Sequence, residues 1–530
     1  MKTFTISSVF VVLSLLSFQV CSQQKTAFLT DLLTEAIHSE QDTVRFTNLK
    51  ISVENLSDGQ TPFSYIDEMF PGLSKDSGKI LLPRLEFIEV SGRLELHNFS
   101  FPKGLKIGDN TSSNPYRVTE KLSLHFDGCD FNGLQVNVGI VGGIHILSGN
   151  KYDGSIDLKF KDSERIIMVS GKFNIEKLTI LLQNCNTVHY SMNKVYAANS
   201  SNSEIRKDIQ NERVAFLHLD DVKEVIMWDN EFNTLLDISG FPSGRNASLL
   251  DIQRNIFEYN IGFSVLNVAD QFIFLNNTLK ENISFSQFVF PELYVKTDWE
   301  QLRGNKVYVK VSQSFDEGPD GFACIACLPY YGLTDEELSR SDRFNELVAN
   351  YASLHNIFKS KGDIMGANGS YAELQQLYTR LYRYHWRNVG SMKNWFRWRL
   401  NQLLDFYMSY GTDPAKALII TFYILLAFAI VYFFFPSEWD ISVKQDWLVA
   451  IRKMFSREEQ TTFQSVGKLF FLFGLNLLNA FTLSINSFVT LGFGAIPTRG
   501  ISRYLCVLQG FIGWFLLSLF TVAIINQVIF

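Results

Sequence analysis

The chain has 530 residues, 46% hydrophobic and only 19% charged, with a formal net charge of −6. That length allows about two to four domains, and the balance suits a soluble part joined to a membrane part. The mild acidity gives no sign of a polyanionic partner, so no nucleic acid is expected. Six cysteines scattered over this length exclude a disulfide scaffold.

In chain order, residues 1–22 read as a secretory signal. Lys2 is the charged start, Phe10 to Leu16 the apolar heart, and Val20-Cys21-Ser22 the cleavage region. The alternative is an uncleaved anchor, for which the apolar run is short.

Residues 23–315 carry a repeat. A short helix is predicted over Thr30 to Ser39, followed by short strands. The repeat anchors are Phe131, Tyr152, Phe173, Val195, Phe232, Phe257, Leu279 and Val307, with gaps of 21, 21, 22, 37, 25, 22 and 28. An insertion at about 198–213 explains the longest. Asn150, Asn193, Asn230, Asn255, Asn277 and Asn305 each precede an anchor by two. Rungs of a stacked coil place like residues over like, and asparagines at the bends bond along a ladder. The expectation is a right-handed parallel β-helix, with a β-sandwich or propeller as the alternative.

β-Helices can host polysaccharide-cleaving sites. His97, His125, His145, His189 and His218 do not recur in phase with the carboxylates. Asp127/Asp130 and Asp220-Asp221 read as solvated turn residues rather than paired acids. No nucleophile elbow, zinc-helix or phosphate-loop motif is present, so no catalytic residue, cofactor or metal is expected. Cys324 and Cys327 read as a local disulfide or two buried thiols.

Residues 316–415 form a helical coupling segment, with 341–360 and 369–388 expected to pair as an antiparallel hairpin. Arg380, Arg383, Arg387, Lys393, Arg397 and Arg399 interleave with Trp386, Trp395, Phe396 and Trp398. This basic aromatic band reads as a membrane-surface belt, making membrane lipid a partner. Residues 416–436 give a first membrane helix. Residues 437–465 are an amphipathic linker. Residues 466–530 hold a pore helix at about 479–489, the motif at 490–494, and a last membrane helix at 505–528. In that helix Gly510 and Gly513 read either as a gating bend or as close helix packing.

Thr490, Leu491, Gly492, Phe493 and Gly494 spell T-x-G-F-G between these apolar segments. With Pro497 and the tail Arg503-Tyr504-Leu505…Gly510-Phe511-Ile512-Gly513-Trp514-Phe515, this resembles the selectivity filter and pore module of the two-transmembrane ion-channel family. Asp405 to Ala417 also resembles the segment before the first membrane helix of pentapeptide-repeat ion channels. A dehydrated cation exchanges its water shell for rings of backbone carbonyls, and glycine accepts the backbone angles this requires. The resemblance implies a homotetramer that conducts K+ through oxygens of Thr490, Leu491, Gly492 and Phe493. Ala495 departs from the family, which usually has Asp there.

The expected protein is thus a multidomain, multi-pass cation channel, selective for potassium and not an enzyme. Its β-helix serves as a sensor or docking domain for an extracytoplasmic ligand, and the expected location is a bacterial inner membrane. Three spans suit that export. Two spans and the basic band suit a cytoplasmic β-helix instead. The rival function is a membrane-anchored β-helix that binds or degrades glycans.

Overall fold

The computed structural model describes residues 25–528 apart from 40, 54–55, 57–59, 72, 74–77, 109–121, 140–141, 198–213, 243, 309–338, 340, 436–440, 456–462 and 491–500. The expected signal at 1–22, the Cys324 and Cys327 pair, and Leu491, Gly492, Phe493 and Gly494 lie outside the described residues. The chain divides into two compact units, Met1–Thr334 with Arg340–Ser353, and Asp335–Ser339 with Leu354–Phe530.

The first unit is a parallel β-solenoid. One wall is an eleven-stranded sheet. In a typical rung, Ile144–Ser148 contributes to that wall, and Lys151–Lys161 supplies the rest of the coil. A register irregularity at Gly154/Ser155 bends this second strand. The register advances by one coil per rung, with Ile144 opposite Arg165 and Arg165 opposite Thr187. Parallel pairing follows because each strand meets its neighbour only after a full coil.

Seven of the eight anchors form one interior column. The pairing runs from Phe131 through Tyr152, Phe173, Val195, Phe232 and Phe257 to Leu279. All are buried. Tyr152 and Phe173 stack with ring centroids 4.3 Å apart, an arrangement worth about 0.5–1.5 kcal/mol beyond its buried area. Val307 departs from the expectation. It pairs with Ile283 in a different column. The gap of 37 is bridged directly, since Leu178 pairs with Ala215 across the insertion.

The ladder lies where the strand pairing stops at a corner. Asn193 N–H donates to Asn230 Oδ1 at 3.0 Å, Asn230 N–H to Asn255 Oδ1 at 2.9 Å, and Asn255 N–H to Asn277 Oδ1 at 2.9 Å. The same side chains return a bond to the preceding strand, as when Asn230 Nδ2 donates to Tyr190 O at 2.9 Å. Asn277 N–H donates to Gln301 Oε1 at 2.7 Å. Gln301, in the short helix Trp299–Leu302, therefore ends the ladder in place of the expected Asn305. The residue before each ladder position turns left-handed: Ser170, Met192, Asp229, Arg254 and Asn276 have φ of 54–58°.

Among the described residues this unit holds α1 (Leu29–His38), α2 (Pro62–Met69) and α3 (Trp299–Leu302). Leu29, Leu32, Leu33 and Ala36 make α1 a buried helix, as expected of the short helix near Thr30. The first part of α4 (Ser341–Ser360) covers the last rungs. Asn350 Nδ2 donates to Phe285 O at 2.8 Å, and Tyr351 O–H to Val307 O at 3.3 Å. Capping of this kind shields apolar rungs from water.

The second unit is helical: α5 (Ile364–Val389), α6 (Met392–Met408), α7 (Pro414–Phe434), α8 (Ile441–Phe455), α9 (Phe463–Val489) and α10 (Ile501–Val528). Asp363 caps α5, and Asp413 caps α7 with Pro414 at its first position. The expected hairpin of 341–360 with 369–388 is made instead by α5 and α6. Gly390, at φ 69°, reverses the chain there. Trp386 stacks on Trp398 at 5.2 Å, and Arg397 lies over the Tyr382 ring at 5.6 Å.

Replacing Asn230 by Ala removes a buried amide that receives the Asn193 N–H. Leaving such groups unpaired costs roughly 2–4 kcal/mol in total. Chemical denaturation of the full chain is expected to show that loss, and Asn230→Leu is expected to be no better.

Candidate functional site

Three helices among the described residues are long and apolar enough to cross a membrane: Pro414–Phe434, Val466–Val489 and Ile501–Ile525. Their mean hydropathies are 2.6, 1.5 and 2.0, so the segment in α9 is the least lipid-like. Their mutual order is the informative feature.

α7 and α10 run antiparallel at matched level. Ser502 Oγ donates to Phe435 O at 3.4 Å, and Tyr432 O–H to Gln509 Oε1 at 2.8 Å. Further along, Tyr407 O–H meets Thr421 Oγ1 at 3.0 Å and donates to Leu516 O at 3.2 Å. Ala417 and Ala523 lie in the same apolar cluster. One helix therefore rises as the other descends through the same slab.

α9 runs the other way relative to α7, and hence parallel to α10. It packs antiparallel on α7, where Phe473 meets Phe433 at 5.5 Å and Ser484 Oγ donates to Leu425 O at 2.8 Å. Against α10, Ala480 and Leu483 cluster with Cys506. Gln509 Nε2 donates to Ser484 Oγ at 2.7 Å and to Ser484 O at 3.1 Å. A Cβ at Gly513 would sit 2.2 Å from Phe488 O. Contacts thus advance together along both helices, from 480 with 506 to 488 with 513.

The consequence is a depth. Gly513 lies twelve residues into α10, about 18 Å from its start at 1.5 Å per residue. The hydrocarbon core is about 30 Å thick. α9 therefore ends close to half-way down the slab that α7 and α10 traverse, while α10 begins at its edge. The expected pore helix at 479–489 is the inner part of α9, continuous with the residues before it, rather than a separate helix.

Of the sequence-derived site residues, Thr490 closes α9, its N–H and Oγ1 both donating to Asn486 O at 3.0 and 2.5 Å. Gly510 and Gly513 are buried inside one uninterrupted helix, and Gly513 is a point of close helix approach. Sequence reasoning missed Tyr432, Ser484 and Gln509. All three are fully buried and bonded to one another, pinning α9 to both neighbours. Their signal was present: a glutamine in the middle of an otherwise apolar span is costly unless paired.

In the solenoid, the singled-out groups serve the wall. Asp130 pairs with Lys79 at 2.6 Å, and Asp220 accepts from Gln183 at 2.9 Å. His145 is buried in the interior, and burial pushes its pKa down to about 4. His97 and His125 come together with Glu95, a grouping that the sequence did not reveal.

Gly513→Ala is expected to force α9 away from α10 at a cost of about 1–3 kcal/mol. Gly474→Ala, where an added Cβ meets nothing within 4 Å, is expected to stabilise by about 0.5–1 kcal/mol through helix propensity. Thermal unfolding of the detergent-solubilised chain reads the opposite signs. Compared with known proteins, the chain matches no family model, no curated protein and no solved structure.

Proposed function

We propose that the chain is one subunit of a tetrameric cation channel selective for potassium. The observation that carries this reading is the parallel run of α9 and α10, with α9 stopping half-way down α10. Backbone that regains depth inside a bilayer has no lipid to bond with. It persists only when buried in protein or facing a water-filled cavity. The residues that follow α9 in the sequence read Thr490-Leu491-Gly492-Phe493-Gly494, whose carbonyls and threonine hydroxyl suit a dehydrated cation.

The mechanism follows from the helix ends. α9 directs its C-terminal carbonyls, the negative end of its dipole, toward the middle of the slab. Four copies around an axis would hold a hydrated cation there before it enters the motif. Tyr432, Gln509 and Ser484 hold α9 against α7 and α10 and so fix the position of that end. This bracing supports the motif where Ala495 lacks the carboxylate of related filters.

On this reading only α7 and α10 cross completely. Residues before α7 and after α10 then share a side, opposite the mouth of the motif. The basic band of Arg380, Arg383, Arg387, Lys393, Arg397 and Arg399 supports a cytoplasmic location for that side. The β-solenoid is cytoplasmic too, in place of the exported location that three spans would give.

Two measurements test this. Proteoliposomes containing the wild type are expected to pass K+ in preference to Na+, with Gly492→Ala abolishing flux while the oligomer persists. Flux unchanged by Gly492→Ala, or absent from a folded tetramer, overturns the channel. For sidedness, Met365→Cys, at an exposed position, is expected to react with an impermeant thiol reagent only after cells are permeabilised.

A further inference from the structure

On the solenoid wall, strands Ser91–His97 and Leu122–Asp127 pair in parallel, with Glu95 opposite His125 and His97 opposite Asp127. Leu94, Leu96, Leu124 and Phe126 face the core. Strand alternation therefore puts Glu95, His97, His125 and Asp127 together on the outer face. Glu95 and His97 side chains are only 16% and 15% exposed, and His125 is 30% exposed.

We propose that this square binds one divalent transition-metal ion of the zinc type, through Glu95 Oε1, His97 Nε2 and His125 Nδ1. One ligand atom from each residue lies within 4.8 Å of the others. His97 Nε2 is 2.9 Å from Glu95 Oε1, and His125 Nδ1 is 3.8 Å from the same oxygen. Bonds of about 2.0–2.2 Å from such atoms to zinc place neighbouring ligands about 3.3 Å apart, so small side-chain rotations close the site. The ion takes the place of the proton now shared between His97 Nε2 and Glu95 Oε1.

The surroundings suit that role. Arg93 Nε holds the other carboxylate oxygen, Glu95 Oε2, at 2.9 Å, which leaves Oε1 aimed at the histidines. Asp127 Oδ2 stands 3.8 Å from His97 Nδ1, the side of the ring away from the metal, where a carboxylate orients a ligating imidazole. Burial, then the neighbouring His97, hold the His125 pKa below its ordinary value. Two imidazoles and one carboxylate favour zinc, nickel or cobalt over magnesium and calcium. Three protein ligands leave a fourth position open to water or to a ligand atom from a partner.

The site belongs to the first unit and stands independently of the channel reading. Its test uses no ion flux. The full chain in detergent, stripped with chelator and desalted, is titrated with ZnCl2, NiCl2 and MgCl2 by calorimetry, with the thermal midpoint as a second readout. The expected result is saturable uptake of one zinc or nickel ion per chain with a raised midpoint, and no response to magnesium. The double variant His97→Ala/His125→Ala is expected to lose that uptake while keeping its circular dichroism spectrum. Asp127→Asn is expected to weaken binding about 10-fold or more. His189→Ala, on another rung, is expected to change nothing. Absence of uptake by the wild type, equal uptake by the double variant, or equal loss with His189→Ala overturns the proposal.

Discussion

Every backbone amide and carbonyl removed from water has to find a partner within the protein, and both units are shaped by this requirement. In the solenoid, strand pairs along: each rung bonds to the rungs above and below. The arrangement fails at corners, where the chain turns left-handed and the ladder of pairing breaks. Asn193, Asn230, Asn255 and Asn277 fill that gap, each side chain accepting one N–H and donating to a carbonyl of the preceding strand. Stacked aromatics then fill the interior that those corners enclose. In the helical unit the helices satisfy their own backbones. What is left to pair are polar side chains, and Tyr432, Ser484 and Gln509 pair with each other.

Much of the solenoid was legible because stacking converts a spatial period into a sequence period. Phe131, Tyr152 and Phe173 recur at a constant interval because they occupy one column. The errors have the same cause. Ladder positions are defined in space, so Cys129 and Gly171, whose N–H groups donate to Asn150 and Asn193, belong to the ladder without carrying an amide. Gln301 ends it because its longer side chain reaches the Asn277 N–H, while Asn305 lies beyond that corner. Val307 kept the two-residue offset from an asparagine but joined another column.

The Glu95, His97 and His125 grouping was hidden for a related reason. Glu95 and His125 are 30 residues apart, well over the 21 or 22 of the rungs that follow. A periodicity tuned to 21 or 22 therefore reports these histidines as out of phase, although the register sets them side by side. The α5–α6 pairing was missed because nothing in the sequence marks the turn at 390 as stronger than other glycines. Yet Gly390 carries the left-handed turn that brings Trp386 against Trp398.

In the membrane part, composition revealed three apolar segments but not their directions. An uncharged run such as 469–498 has no period that states where a helix stops, so two and three crossings read alike. The buried contacts give the directions. Ser484 with Gln509 and Phe488 with Gly513 order α9 parallel to α10, as the proposed two-span reading requires. Gly513 has a role in this that a hinge would not need: with no Cβ, it lets the carbonyl of Phe488 approach α10 and sets how deep α9 penetrates. A return path inside a bilayer is stable only when something other than lipid faces its carbonyls. One copy of this chain offers one side of such an enclosure. On the proposed reading, a ring of copies completes it, and a cation supplies the charge that the converging carbonyls lack.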